Sequence, residues 1–186
     1  MVLAAGASRR LGRPKQLLPF RGSTLIHHAA QTAVSAGIGP VGVVLGAHAD
    51  ECRTALRGLD VRIMLHEGWA DGMGSTIAAA ARAAQAEQAT AVLLTTCDQP
   101  DVTAEDLRRL AEAHLSGGAT LAAAQYGGTV GIPALFAGGA LDALTRLRGE
   151  QGAKPILESA GPSLIMVPCP GASRDVDTPD ESARLL

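Results

Sequence analysis

The sequence of 186 residues carries a formal net charge of -2, and 47% of its residues are hydrophobic while only 2% are aromatic. A chain this apolar is not expected to be disordered, and its length favours one domain over residues 1–186. The weak charge and the scarcity of aromatic stacking platforms argue against a nucleic-acid-binding protein.

Short apolar runs alternate with helical patterns along the chain. In chain order, the apolar runs predict strands over residues 2–5, 41–45, 61–65, 91–96, 120–125 and 164–167. The helical patterns predict helices over residues 25–35, 49–57, 75–86, 103–114, 140–147, 155–159 and 179–186. Gly37 ends the first helix, Ser75 is a candidate N-cap of the third, and Thr103 with Asp106 has the capping-box pattern of the fourth.

This alternation predicts an α/β fold with a three-layer, doubly wound and mostly parallel sheet. Buried parallel strands have apolar runs of this kind rather than polar–apolar alternation. Ligands bind at the carboxyl ends of such strands, so the loops after Ala5, Leu65 and Thr96 are expected to carry the chemistry. Residues 127–152 are less regular, and a β-ribbon or a lid is expected there.

The loop after the first predicted strand has the composition of a phosphate site. It reads LAAGASRRLGRPKQLLP over residues 3–19, and five basic residues and no acid lie between positions 9 and 21. Gly6 lets the backbone amides approach phosphate oxygens, while Arg10 offers a bidentate contact and Lys15 a point charge. The loop has neither the Walker A nor the GxGxxG pattern. The alternative is an ordinary solvated loop.

The spacing of this loop resembles the signature LAAGxSxRxGxxKxLLP of the molybdenum-cofactor nucleotidyltransferases. The resemblance implies a fold like that of the nucleotide-diphospho-sugar transferases. It also implies that the nucleotide is held by Leu3, Ala4, Ala5, Gly6, Ser8, Arg10 and Lys15, with Arg10 and Lys15 also catalytic. LAAG rather than LAGG resembles the cytidylyltransferase branch, so Ala5 points to CTP.

Two further segments resemble the nucleotide side of the same family. EGWADGMGSTI, over residues 67–77, implies nucleotide contacts from Gly72, Gly74 and Ser75. Ser75 as a plain helix cap is the alternative. AVLLTTCDQP, over residues 91–100, is a buried strand that ends in Asp98, where a ligand-bound Mg²⁺ would lie. The matching Asp of the family binds that metal, so Asp98 is implied as a catalytic, nucleotide-binding and metal-binding residue. A helix cap is again the alternative.

Two segments resemble the acceptor side. GIPALF and GEQGAK, over residues 131–136 and 149–154, are similar to segments that shape the pocket of the second substrate. Together with the DQP motif they imply weaker acceptor contacts from Gln99, Pro133 and Lys154. The family usually has Asp where this chain has Glu150.

The segment DVDTPDE, over residues 175–181, resembles the near-terminal DxDTPxD of the family. It implies a second acid for the metal, and Asp177 is favoured over Asp175. The alternative is that Asp177 or Thr178 caps the helix that begins at Pro179.

Together these segments imply an Mg²⁺-dependent nucleotidyltransferase. It would transfer CMP from CTP to a molybdopterin-type molybdenum cofactor, giving molybdopterin cytosine dinucleotide and pyrophosphate. A guanylyltransferase of the same family, a non-catalytic chaperone that binds the finished cofactor, and a sugar-1-phosphate nucleotidyltransferase stay open as alternatives. A transient contact with a molybdoenzyme or its chaperone is expected, and no contact with nucleic acid or membrane.

Cys52, Cys97 and Cys169 form no CxxC pair, so neither a zinc site nor a disulfide framework is predicted. Reduced thiols, the absence of an apolar run of transmembrane length and the absence of a signal peptide favour a cytoplasmic protein. The first strand has only a few residues before Gly6, where relatives usually carry several more. That leaves a start upstream of Met1 open.

Overall fold

The computed structural model describes residues 1–183 and residue 185. The strands in this part of the chain are β1 (Val2–Ala4), β2 (Pro19–Phe20), β3 (Ser23–Thr24), β4 (Gly42–Leu45), β5 (Arg62–Leu65), β6 (Ala91–Thr96), β7 (Leu121–Tyr126), β8 (Thr129–Ala137) and β9 (Ile165–Pro168). The α-helices are α1 (Leu25–Ala36), α2 (Ala49–Ala55), α3 (Met73–Ala86), α4 (Ala104–Leu115), α5 (Gly139–Leu144), α6 (Lys154–Ser159) and α7 (Pro179–Ala183). Among these described helices, none has the length and apolar character needed to cross a membrane.

Seven strands form one sheet in the order β5-β4-β1-β6-β8-β7-β9, and β2 pairs with β3 in a small separate ribbon. Within the large sheet β4 and β6 run parallel to β1, and β5 runs parallel to β4. On the other side of the sheet β9 runs parallel to β7. The strand β8 is antiparallel to both β6 and β7. The predicted α/β fold with a mostly parallel sheet is therefore confirmed.

The antiparallel strand β8 was not among the six predicted strands. It lies in the segment that looked irregular, and it is joined to β7 by Gly127 and Gly128, whose φ angles are 54° and 77°. Two consecutive residues with positive φ are typical of a tight hairpin turn whose twist matches that of the strands. The segment expected to form a β-ribbon or a lid therefore contributes one strand of a hairpin to the main sheet, and the helix predicted over residues 140–147 is present as α5.

Local capping chemistry explains the helix boundaries that the sequence predicted well. Thr24 caps α1 by accepting from the His27 amide, and Gly37 ends that helix with a φ of 66°. The predicted capping box of α4 is present, since Thr103 and Asp106 each bond the other's backbone amide. The predicted N-cap Ser75 is wrong, because α3 begins two residues earlier and its N-cap is Gly72. Of the last predicted helix, positions 184 and 186 lie outside the described residues.

Helices cover both faces of the sheet, as the three-layer prediction requires. On one face α3, α5 and α6 bury Ile77, Leu144 and Leu157. On the other face α1 and α4 bury Ile26 and Leu107. Successive residues of β1 point alternately into these two cores, so the first strand is buried on both sides. Its carboxyl end therefore has a rigid support on which a ligand site can be built.

Candidate active site

A cleft of about 360 Å³ opens at the carboxyl ends of β1 and β6. Most of its walls come from the three loops that were expected to carry chemistry. It is lined by Leu3, Ala4, Ala5, Gly6, Ala7, Ser8, Arg9, Arg10, Leu11, Lys15, Gln16, Trp69, Ala70, Gly72, Met73, Thr76, Thr96, Cys97, Asp98, Glu150 and Asp177. The nucleotide-binding residues implied for the first loop all lie in this lining, together with both implied metal ligands.

A buried amide holds the shape of the first loop. The Gln16 side chain is only 1% exposed, and its Nε2 donates to the carbonyl oxygens of Ala4 and Gly6 at 3.1 and 2.6 Å. The Ser8 hydroxyl donates to Gln16 Oε1 at 3.3 Å and accepts from the Lys15 amide at 3.0 Å. These bonds carry the chain from β1 through the turn and back to Lys15. The Ser8 hydroxyl, which was implied as a nucleotide contact, thus makes two hydrogen bonds within the loop.

Gln16 is a site residue that the motif reading missed. A signal was available, because Gln16 is an amide between the basic and the apolar half of the PKQLLP run. A buried side-chain amide has to find hydrogen-bond partners, and the nearest ones are the carbonyl groups of its own loop.

An ion network joins the first loop to two distant acids. Lys15 Nζ contacts an Asp98 carboxylate oxygen and donates to Asp177 Oδ1 at 2.9 Å. A guanidinium nitrogen of Arg10 donates to Asp177 Oδ2 at 2.6 Å. The Lys15 and Asp98 side chains are 19% and 16% exposed, whereas that of Arg10 is 77% exposed. The structure thus brings together the four charged residues to which the resemblance assigned catalysis or metal binding.

The charges in this network stabilise one another. Burial alone lowers the pKa of Lys15, but the carboxylates of Asp98 and Asp177 raise it more, so the Lys15 pKa lies above its usual value. Burial likewise raises the pKa of Asp177, yet hydrogen bonds and charges from Lys15 and Arg10 lower it more, and the net shift is downward. Both groups therefore stay ionised around neutral pH.

The two acids of the near-terminal motif have different surroundings. Asp177 lines the cleft and is held by two cations, while Asp175 is outside that lining. Burial and the negative charge of Asp98 raise the Asp175 pKa, and the Gln99 amide only partly offsets them. This difference favours Asp177 as the second acid of the site.

The glycines of the EGWADGMGSTI segment have a packing role. Gly72 has a φ of 102°, and a Cβ there would lie 2.4 Å from the Gly149 carbonyl oxygen. A Cβ on Gly74 would lie 2.7 Å from the Arg148 carbonyl oxygen, and the Gly74 amide donates to Gly149 at 2.8 Å. Both residues let the start of α3 press against the 148–149 backbone. Gly72 still lines the cleft, whereas Gly74 does not.

Ser75 is also outside the cleft lining. Its hydroxyl lies 3.0 and 2.8 Å from the carbonyl oxygens of Gly68 and Gly72, and 2.9 Å from His66 Nε2. These contacts tie the turn before α3 to the first turn of the helix. The structure gives Ser75 a local structural role and no position from which it faces the cleft.

The three implied acceptor residues do not line the cleft either. Gln99 is buried, donates to the Ala172 carbonyl at 3.0 Å and accepts from the Thr96 hydroxyl at 3.2 Å. Pro133 is buried within β8. The Lys154 side chain is 56% exposed and lies 3.9 Å from a Glu158 carboxylate oxygen. Their roles toward an acceptor remain predictions.

Three side chains on the α3 side of the cleft were not assigned from the sequence. Trp69, Met73 and Thr76 line it, and Thr76 is buried although it carries a hydroxyl. Glu150, whose segment resembled the acceptor side, also reaches this lining. No spacing rule marks such residues, because their approach to the cleft depends on how α3 packs.

The charged residues of the cleft fit a divalent metal ion. Among the described residues, no group of three or more His, Cys, Asp or Glu side chains is arranged as a metal cage. Asp98 and Asp177, however, both reach the single ammonium group of Lys15, so their oxygens converge on one point. Mg²⁺ typically takes one or two carboxylates and completes its shell with phosphate oxygens and water. Two acids beside a loop that carries Arg10 and Lys15 meet that requirement.

Comparisons with known proteins agree with this geometry. The family model for the MobA-like NTP transferase domain matches residues 1–164. Nicotine blue oxidoreductase of Paenarthrobacter nicotinovorans is 33% identical over 197 residues, which cover 100% of this chain and 95% of that protein.

Solved structures show the same fold over the full length of the chain. The crystal structure of Rv0371c from Mycobacterium tuberculosis H37Rv has a TM-score of 0.83 and 31% identity, and the match covers 100% of this chain and 94% of that one. A second structure of Rv0371c, a complex with manganese, has a TM-score of 0.79 and 29% identity, with 100% and 95% covered. A nucleotidyl transferase from Methanothermobacter has a TM-score of 0.82 and 26% identity, with 99% and 93% covered.

Proposed function

This chain belongs to the MobA-like NTP transferase domain family, and we propose that it is the member that transfers CMP from CTP to a molybdopterin-type molybdenum cofactor. The products are molybdopterin cytosine dinucleotide and pyrophosphate. One observation carries the proposal: Lys15 lies between Asp98 and Asp177 at the open end of a glycine-containing loop. That arrangement places cations for a polyphosphate beside acids for a divalent ion.

The first loop is the binding site of the triphosphate. Its backbone amides after Leu3 would donate to the phosphate oxygens, and Gln16 holds the backbone of the loop through the Ala4 and Gly6 carbonyl oxygens. Arg10 and Lys15 neutralise the phosphates, and both leave Asp177 to do so. The ion pairs of Arg10 and Lys15 with Asp177 are therefore replaced by ion pairs of the same two cations with phosphate. This exchange keeps the electrostatic cost of releasing Asp177 small.

Asp98 and Asp177 are the residues that would hold the divalent ion, which we propose to be Mg²⁺. Manganese is the ion in the Rv0371c complex, and oxygen ligands of this kind suit both metals. When bound, the ion would supply positive charge that stabilises the α-phosphate while it is transferred.

The reaction is a direct displacement that needs no covalent intermediate with the protein. A phosphate oxygen of the acceptor attacks the α-phosphorus, the bond from that phosphorus to the bridging oxygen breaks, and pyrophosphate leaves with the electron pair. Because the nucleophile is already ionised, the side chains have to position the reactants and neutralise charge rather than abstract a proton. The choice of cytosine rests on the LAAG sequence that contains Ala5.

A transfer assay with each common nucleoside triphosphate tests the proposal. We expect the protein, supplied with Mg²⁺ and molybdopterin, to release pyrophosphate and form the dinucleotide with CTP. Turnover of GTP without turnover of CTP would place the chain in the guanylyltransferase branch. Binding of the finished cofactor without turnover of any triphosphate would identify the non-catalytic chaperone.

A second candidate function is suggested by one relative. Nicotine blue oxidoreductase matches this chain over nearly the full length of both proteins. An oxidoreductase would consume nicotine blue when an electron donor is supplied, and the loss of nicotine blue is followed by its absorbance under anaerobic conditions. We expect no consumption, because the polar residues of the cleft form a set of acids and cations suited to phosphate and metal.

A further inference from the structure

Asp177 is held in the cleft by contacts to its side chain and, separately, by contacts to the backbone around it. The side-chain contacts are those to Arg10 and Lys15, at 2.6 and 2.9 Å. Under the proposed function both cations turn to the triphosphate, so these contacts are lost when the Asp177 carboxylate is needed for the divalent ion. The backbone contacts do not involve the two cations. They are therefore what keeps Asp177 near Asp98 once the triphosphate is bound.

The residue before Asp177 is fixed both to the end of β6 and to the first loop. The Val176 amide donates to the Asp98 carbonyl oxygen at 3.0 Å. The Val176 side chain is fully buried and packs in one cluster with Leu11 and Leu18 of the first loop. The chain therefore reaches Asp177 from a point that is tied to the other implied metal ligand.

Glu181 holds the chain on the other side of Asp177. Its Oε2 atom accepts from the Asp177 and Thr178 amides, both at 2.8 Å, and from the Thr178 hydroxyl at 2.9 Å. The Thr178 hydroxyl also accepts from the Glu181 amide at 3.3 Å. Hydrogen bonds to a carboxylate are stronger than those between neutral groups. Glu181 is outside the cleft lining, so it reaches the site through this backbone.

A second capping box in the same protein shows which of these bonds helix capping requires. At the start of α4, Asp106 Oδ2 accepts from the amide and the hydroxyl of Thr103, which is the usual pattern. The amide of the residue before Thr103 donates to the Gln99 carbonyl oxygen instead. At α7 the Glu181 carboxylate makes the same two bonds and also accepts from the preceding amide, which belongs to Asp177. This additional bond is made to the implied metal ligand.

We propose that Glu181 is a positioning residue for the divalent-ion site. By holding the Asp177 backbone, it keeps the Asp177 carboxylate beside Asp98 after both cations have turned to phosphate, and in this the inference rests on the proposed function. An aspartate side chain has only two torsion angles, so a fixed backbone leaves its carboxylate few positions. Without the Glu181 bonds the ion has to order Asp177 itself, and its affinity for the site falls.

The variant Glu181→Met tests this inference, because it keeps the length of the side chain and removes both carboxylate oxygens. The dissociation constant of Mn²⁺ is measured from the electron paramagnetic resonance signal of the free ion. The sample contains α,β-methylene-CTP bound by an excess of protein, and no acceptor, so that no transfer occurs. We expect this constant to rise about tenfold, as when a group that orients a metal ligand is lost. Glu181→Gln keeps a carbonyl oxygen that accepts the same bonds and should bind Mn²⁺ nearly as tightly as the wild type.

The matched control is Asp106→Ala, which removes the capping carboxylate of α4 at a place outside the cleft lining. It should lower the melting temperature and leave the Mn²⁺ dissociation constant unchanged. Melting temperatures are recorded for every variant, and Glu181→Ala replaces Glu181→Met if the latter does not fold.

Equal Mn²⁺ affinity in the wild type and Glu181→Met would overturn the inference. An equal loss of affinity in Asp106→Ala, or no binding of Mn²⁺ by the wild type, would overturn it as well. A wild type that binds Mn²⁺ about tenfold more tightly than Glu181→Met but forms no dinucleotide from CTP would refute the proposed function and support the role of Glu181.

Discussion

Two glycine-containing segments meet at the cleft, and they use glycine for opposite purposes. In the first loop a Cβ on Gly6 would have no atom within 4 Å, so the space above it is open to a ligand. At the start of α3 the same substitution on Gly74 would run into the Arg148 backbone. Gly6 leaves open space at the cleft, whereas Gly74 leaves room for the backbone of the protein itself. A motif read from sequence treats both as ligand contacts.

The largest effect should come from Asp98, the acid that contacts Lys15 just after the end of β6. Asp98→Asn keeps the shape of the side chain but removes the charge that holds Lys15 and would hold the metal, so we expect kcat to fall roughly 10³-fold. The measurement is pyrophosphate release under saturating substrates. Asp101→Asn is the control, since Asp101 pairs with Arg174 at 3.1 Å outside the cleft lining. Comparable losses in both variants would remove Asp98 from the chemistry.

Two alanine variants test the difference between Gly6 and Gly74 directly. Gly74→Ala should lower the free energy of unfolding by about 1–3 kcal/mol, because the new methyl group meets backbone that has to shift. Gly6→Ala should change stability by less than about 0.5 kcal/mol while raising the KM of CTP. Urea unfolding and steady-state kinetics on the two variants check this. A stable Gly74→Ala protein that has lost CTP affinity would restore the ligand-contact reading of Gly74.

The hydrogen bonds of Gln16 within the first loop predict a difference in stability between two glutamine variants. Gln16→Met fills the same volume but leaves the carbonyl oxygens of Ala4 and Gly6 without their donor. We expect a loss of about 1–3 kcal/mol in unfolding free energy, together with weaker CTP binding. Gln85→Met on α3 removes an exposed amide bonded to Asp142 and should be neutral within about 0.5 kcal/mol. Equal stability of the two variants would show that Gln16 does not hold the loop.

The smallest effect separates the two acids of the near-terminal motif by pH. The pKa of Asp177 is lowered in the folded protein, so its ionised form contributes stability above the unfolded-state pKa, and the contribution disappears as pH falls through the folded value. We expect Asp177→Asn to cost about 1 kcal/mol at pH 7 and nothing at strongly acidic pH. The folded pKa of Asp175 is raised, so Asp175→Asn should not destabilise at pH 7. Urea unfolding between strongly acidic pH and pH 7 measures the stability of both variants. Identical pH profiles for the two would contradict the assignment of Asp177.

Much of the fold was open to prediction because its signals are local. Gly37 and the pair Thr103–Asp106 fix helix ends through their own backbone bonds, and buried parallel strands appear as apolar runs. The strand β8 was not predicted because its residues 131–133 include glycine and proline. Its place between β6 and β7 depends on pairing with strands on both sides, which no window of sequence displays.

The site residues likewise include some that the local sequence predicts and others that depend on distant contacts. Gly6, Arg10 and Lys15 could be assigned from the composition of one loop, but the contact of Lys15 with Asp177 joins residues 162 positions apart, and only a family resemblance linked them beforehand. Gly74 and Ser75 were assigned to the nucleotide because a glycine and a serine at a helix start resemble a phosphate site. Within the protein they contact the 148–149 backbone and the turn before α3, which become neighbours only when the chain is folded, and their contact with a nucleotide stays a prediction.

The most direct test follows the fate of two phosphorus atoms. The protein is incubated with Mg²⁺, molybdopterin and CTP that carries a label either at the α or at the γ position. We expect the α label to appear in molybdopterin cytosine dinucleotide, the γ label to appear in pyrophosphate, and neither to move in Asp98→Asn. Labelled inorganic phosphate in place of pyrophosphate, or no α label in the dinucleotide with wild-type protein, would contradict a CMP transferase centred on Lys15, Asp98 and Asp177.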